Sequence, residues 1–286
     1  MKLIISLALG SILSFYTSAQ ETPKTDGVRS TNEVVSTADI EWGYLNPLRG
    51  DRSPAAGKLW GDRTKNEPAG FLVKFKEGFS SPPHIHNITY RGVVINGLLH
   101  NDDEKAEKQW LPAGSYWQQP AGEAHITAAD GEENMAFLDI QEGPYLVQTT
   151  SEAFDNGERP INVDKSNLVW LNANDIEWVS KNSNVKTAFL WGSRKMGELN
   201  ASLIKLPADF KGEIKNLSPN FRAVIIQGSI AHQVSGEKLK STLDAGSYFG
   251  AAENSVHKII SRGGEESIIY IRANGKFEVV SGTYKE

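Results

Sequence analysis

At 286 residues the chain is long enough for two compact domains, and 39% hydrophobic residues with seven Trp supply a core for each. A formal charge of −5 and no basic run exclude an extended nucleic-acid surface and leave a small molecule as the expected partner. There is no cysteine, so no disulfide can brace the fold and any metal must be held by nitrogen and oxygen.

In chain order, Met1 to Ala19 carries one charge at Lys2, an apolar run from Leu3 to Tyr16 and the small residues Thr17-Ser18-Ala19. That is the pattern of a secretory signal cut near Ala19–Gln20, so a periplasmic or secreted protein is expected, with no membrane contact after cleavage. Residues 20–38 are polar and read as a mobile leader.

From Asp39 the chain repeats itself. Asp-Ile-Glu-Trp stands at Asp39 to Trp42 and again at Asp175 to Trp178; Leu-Trp-Gly stands at 59–61 and 190–192. RGVVING (Arg91 to Gly97) answers RAVIIQG (Arg222 to Gly228) at an offset of 131, and His125 answers His257 at 132. Near-constant offsets over so many anchors mean two copies of one unit. They are placed at 39–147 and 168–286, with the polar stretch 148–167 as linker. Short β-branched and aromatic runs fill both copies, among them Gly70 to Phe75, Gly92 to Ile95, Met135 to Ile140, Ala223 to Ile226 and Ser267 to Ile271. Gly, Pro, Asn and Asp punctuate them with no long helical period, which predicts an all-β sandwich or jelly roll.

The chemistry concentrates in Pro82 to His125 of the first copy. His84 and His86 are two apart, so on a strand their imidazoles share a face, with Tyr90 on that face if the pleat is unbroken. Gly114, Pro120 and Gly122 offer a turn and a stiff corner that return a third imidazole, His125. Three histidines converge this way on one divalent ion. Tyr90 reads as a fourth ligand, a hydrogen-bond donor beside the metal, or a packed strand aromatic; its counterpart Phe221 favours packing. Trp117, Gln118 and Gln119 lead toward His125, and alternation puts either the odd or the even positions into the cavity. Arg91 recurs as Arg222 and reads as structural. The Trp pairs 42 and 178, and 60 and 191, read as core or interdomain packing, and His100 as an exposed loop-edge residue.

These spacings resemble the two cupin motifs: Gly78, His84, His86 and Gly97 fit the first, and Gly114, Pro120, Gly122 and His125 the second. The departure is a missing glutamate, where Tyr90 or Arg91 stands instead. Among cupins the chain is most similar to two-domain relatives of the ChrR-type anti-sigma-factor cupins. The resemblance implies two tandem cupin domains, one divalent metal (Fe, Zn or Mn) on His84, His86 and His125, and either a dioxygenase-like or a hydrolytic or isomerising enzyme. The alternative it leaves is a non-catalytic ligand-binding or metal-sensing module. In the second copy Lys215, Leu217 and Phe221 replace His84, His86 and Tyr90, so that copy is expected to be metal-free, packing on the first or forming a homo-oligomer.

Overall fold

The structure, a computed structural model, describes residues 32–236, 240–251 and 254–282. The signal reading of Met1 to Ala19 lies outside these residues. Within them the chain is built from β-strands joined by turns and a few short 3-10 segments, as the alternating apolar runs require.

The first half forms a seven-stranded antiparallel sheet in the order Ile161–Val163, Tyr116–Gln119, Tyr90–Asn96, Asn134–Ile140, Ala69–Phe75, Ala55–Trp60, Trp42–Tyr44. Facing it are Ile126–Ala129, Leu98–Asp102 and Leu111–Pro112, with the short pair Ile85–His86 and Val147–Gln148 beside them. The second half repeats the plan. Its seven strands are Glu33–Val35, Tyr248–Ala251, Phe221–Gln227, Ser267–Asn274, Leu199–Leu206, Lys186–Gly192 and Leu171–Asn172, and five more strands close the other face. Each half is thus an all-β, two-sheet barrel with its own core.

Strand alternation divides the apolar side chains between three cores. Along Ala69–Phe75, Phe71, Val73 and Phe75 enter the first barrel, while Leu72 leaves by the opposite face. There it joins Val93, Ile95 and Phe137 against Leu203, Val224, Ile226 and Tyr270 of the second half. The large sheets therefore pack back to back, both faces buried.

The internal repeat appears in that interface as an approximate two-fold relation. Arg91 lies 4.2 Å from the ring centre of Trp191, and its counterpart Arg222 lies 6.0 Å from that of Trp60. Both repeated Arg residues are interdomain structural residues, and Trp42, Trp60 and Trp191 all pack in the interdomain core, while Trp178 packs in the second barrel. Arg222 also pairs with Glu33 at 3.0 Å.

Three expectations change. Glu33–Val35, inside the stretch read as a leader, is an edge strand of the second half's sheet, pairing with Tyr248–Gly250. Ile161–Val163, inside the stretch read as a linker, is an edge strand of the first half's sheet, pairing with Tyr116–Gln118. Each is a three-residue run, Glu-Val-Val and Ile-Asn-Val, whose two β-branched residues are too few to stand out from the polar stretch around it, and an open sheet edge offers it backbone partners. His100 is 1% exposed rather than on a loop edge, because it sits within the strand Leu98–Asp102 with Trp110 against it.

The second barrel buries a histidine pair: His232 Nε2 and His257 Nδ1 are 2.9 Å apart among Phe221 and Phe249. Desolvation holds His232 at about 4 and His257, with the added repulsion of His232, at about 3. Below the ordinary value of 6.5 the unfolded chain takes up protons that the folded chain refuses, so stability falls as pH drops from 6.5 toward 4. His232 alone should remove on the order of 2 kcal/mol at pH 5. Urea unfolding at pH 7 and pH 5 checks this; His257 is held lower still, so the loss should be smaller by about twice that amount in a His232→Leu/His257→Leu variant.

Candidate metal centre

The three histidines of the first barrel are gathered by backbone pairing. His84 and His125 exchange both N–H···O=C bonds at 3.0 Å, and the Gly122 N–H donates to the His86 carbonyl at 2.8 Å. Gly122 has φ +78°, and a Cβ there would lie 2.3 Å from the Phe154 carbonyl oxygen, so the corner that delivers His125 needs glycine. One nitrogen from each of His84, His86 and His125 lies within 4.8 Å of the other two.

Their tautomers are fixed by carbonyls. His84 Nδ1 donates to the Pro82 oxygen (2.9 Å), His86 Nδ1 to Leu146 (2.8 Å) and His125 Nδ1 to Glu123 (3.1 Å). A carbonyl only accepts, so each Nδ1 carries the proton and each Nε2 keeps a lone pair. That is the arrangement of metal-ligating histidines, whose second nitrogen is bound by the surrounding protein. Burial and mutual repulsion hold His86 well below the usual imidazole range and His125 at about 3, and burial lowers His84 too. The set is neutral and ready to ligate.

Tyr90 is on the same face, as the pleat predicts. Its Oη is 3.2 Å from His125 Nε2 and 2.9 Å from Asn101 Oδ1. A relay fixes the Asn101 amide: Gln119 Nε2 donates to the Glu123 carbonyl, Gln119 Oε1 accepts from Asn101 Nδ2, and Asn101 Oδ1 is left to accept. The Tyr90 hydroxyl can donate to Asn101 Oδ1, which also accepts from Thr127 Oγ1, or to the Nε2 lone pair of His125. Of the three residues read as cavity lining, the odd positions face inward: Trp117 lines the cavity and Gln119 anchors the relay. Gln118 has the opposite parity and pairs along the sheet with Arg91 and Ile161.

Tyr145 and Asn101 are not in the sequence reading. Tyr145 stacks on His86 with ring centres 4.2 Å apart, and its Oη is 3.1 Å from His86 Nε2. Its segment is latched by Asn87, which donates to the Pro144 carbonyl and accepts from the Leu146 N–H. A signal for it exists in the repeat: at offset 132 Tyr145 meets Phe277, as Tyr90 meets Phe221 at 131, so both phenols of the first copy are plain phenyl rings in the second.

His84 and His86 border a cavity of about 570 Å³, walled by Val73, Phe75, Phe79, Trp117 and Leu138. Arg49 and Glu152 are its charged lining residues. In the second barrel the corresponding volume holds Phe221, Phe249 and Phe277, all packed in its core. Among the described residues the three-His cluster is the group suited to a metal.

Comparison with solved structures places this architecture. A candidate dioxygenase from Nostoc punctiforme aligns at TM-score 0.63 and 16% identity, covering 89% of this chain and 88% of that one. Lactobacillus farciminis oxalate decarboxylase, solved as a formate complex, aligns at 0.56 and 13%, covering 89% of each chain. Bacillus subtilis oxalate decarboxylase, described with Mn(II) centres, aligns at 0.52 and 14%, covering 91% of this chain and 81% of that one. At these identities the likeness is one of fold, a tandem cupin jelly roll. A search of curated proteins found no match. Residues 33–280 match the family profile described as a domain of unknown function, DUF4437, and because that match spans most of the chain, the chain belongs to the DUF4437 family.

Proposed function

We propose that the chain is an exported metalloenzyme that transforms a small, largely apolar molecule at one divalent ion on His84, His86 and His125. The observation that carries this is the convergence of three Nε2 lone pairs, each histidine turned by a backbone carbonyl, beside a roomy apolar cavity. The donor set suits iron, manganese or zinc, all of which accept imidazole. When bound, such an ion supplies Lewis acidity and, as iron, one-electron chemistry toward oxygen.

The protein's own residues do the rest. The aromatic walls bind and desolvate the substrate's body, and the histidines fix the ion against one side of it. The cavity is of a size that takes a drug-like ligand, far larger than a two-carbon diacid needs. That favours oxygenase-like chemistry on a larger molecule over the reaction of the decarboxylase neighbours. Export rests on the charged, apolar and small-residue pattern of Met1 to Ala19.

A second reading, a non-catalytic binding or sensing module of the ChrR-like kind, is favoured by one observation. Glu152 is the carboxylate of the cavity wall and it is solvent-exposed, so no buried carboxylate base stands ready beside the substrate space.

Elemental mass spectrometry on protein purified without a metal-affinity tag should find about one ion per chain. Anaerobic reconstitution with ferrous iron, followed by oxygen-uptake measurements against aromatic and enolisable compounds, should then show turnover. Stoichiometric metal with ligand-induced stabilisation but no turnover would select the second reading; no metal after reconstitution would end the enzyme reading and leave a module that works by ligand binding alone.

A further inference from the structure

Tyr145 holds a position that the three-His set does not require. Its ring is inclined only 23° to that of His86, so its hydroxyl approaches Nε2 over the ring face, while the Nε2 lone pair lies in the ring plane. The ligand direction is therefore left clear. An ion taking that in-plane lone pair would leave the Tyr145 hydroxyl, 3.1 Å from Nε2 and off the ring plane, able to donate to a ligand held beside the ion. Tyr90 is placed differently, with Asn101 Oδ1 and His125 Nε2 both within reach of its hydroxyl.

Charge points the same way. Three neutral imidazoles leave the full charge of the ion uncompensated, and no carboxylate belongs to the cluster. Arg49 lines the cavity on the His84 side and lies near enough for its charge to act on that ring. No carboxylate lies within ion-pair distance of Arg49 among the described residues, Glu152 of the same cavity included. A half-buried guanidinium without a counter-ion, a donor over the open face and an apolar wall beyond describe a ligand with an anionic head and an apolar body.

We propose that the ion's open side takes an anionic oxygen of the substrate, a carboxylate or enolate, with Tyr145 donating the hydrogen bond that positions it and Arg49 supplying attraction at longer range. This rests on the metal-binding reading given above. Tyr145 is on this view a positioning and specificity residue and not a fourth protein ligand.

The test loads the full chain with cobalt(II) and follows the visible spectrum during titration with azide, an anion that accepts hydrogen bonds, and with imidazole, which coordinates through nitrogen and offers no acceptor. Tyr145→Phe should retain one cobalt per chain, bind azide about tenfold more weakly and bind imidazole unchanged. Arg49→Gln should weaken azide several-fold in low salt, with the difference fading in high salt as the charge is screened. Loss of cobalt in Tyr145→Phe, azide binding unaltered in that variant, or equal weakening of azide and imidazole would overturn the proposal. Failure of the wild type to load cobalt would instead overturn the metal-binding reading beneath it.

Discussion

Replacing His86 with Ala should lower bound metal from about one ion per chain to a trace, a loss of affinity of more than about 100-fold. His86 is buried, and its Nδ1 is held by the Leu146 carbonyl while Tyr145 stacks on its face. Its removal leaves two imidazoles from one bridged backbone pair, His84 and His125, which is too few for a divalent ion at useful affinity. The apparent stability of the wild type should rise with added metal, by about 4 kcal/mol when the free ion is a thousandfold above its dissociation constant, and that of the variant should not. His257→Ala is the control: its ring is engaged with His232 and Ser255 in the second barrel, so metal content should stay at the wild-type level. Elemental analysis and thermal unfolding with and without metal decide it; full metal in His86→Ala would remove the proposed centre.

The second large effect concerns the interface. Asp139 lies on a strand of the first half, is 1% exposed, accepts from Tyr270 Oη at 2.7 Å and stands 3.5 Å from Arg272 Nε, without a formal hydrogen bond to it. Burial pushes the Asp139 carboxyl up, and the Arg272 charge opposes that shift. Asp139→Leu strands a guanidinium that is 5% exposed between the two halves, and should cost about 3–5 kcal/mol. Asp139→Leu/Arg272→Leu removes both charges, and should recover a large part of that loss because the surrounding interface is apolar. Chemical denaturation of the three proteins gives the coupling directly. An Asp139→Leu variant within about 0.5 kcal/mol of wild type would show that the charge of Arg272 is met in another way.

These two effects mark what was legible in the sequence. The doubled all-β architecture could be read because strand alternation and the repeat are carried by side-chain type. The convergence of His84, His86 and His125 could be read because turn residues fix where a strand returns. Tyr145 could not be read in this way: it reaches the histidines from a segment 20 residues beyond His125, held by Asn87 and His86 through backbone atoms that have no sequence signature. Asp139 was hidden in an apolar strand, where a single carboxylate reads as an irregularity until its partners from the other half are seen. The parity of Trp117 and Gln119 was undetermined because both alternating sets contain residues fit for a cavity.

The two edge strands that composition had marked as leader and linker bear on how the molecule can be divided. Glu33–Val35 precedes the first copy yet completes the sheet of the second, and Ile161–Val163 precedes the second copy yet completes the sheet of the first. The exchange is reciprocal, and has the form of a swapped homodimer whose subunits are joined end to end. Cutting the chain between the copies would therefore not liberate an autonomous metal-binding module: a fragment ending at 147 would lack its closing strand and expose the apolar back of its large sheet. The barrel with the three-His cluster and the barrel without it are bound together because neither is a whole fold without its twin.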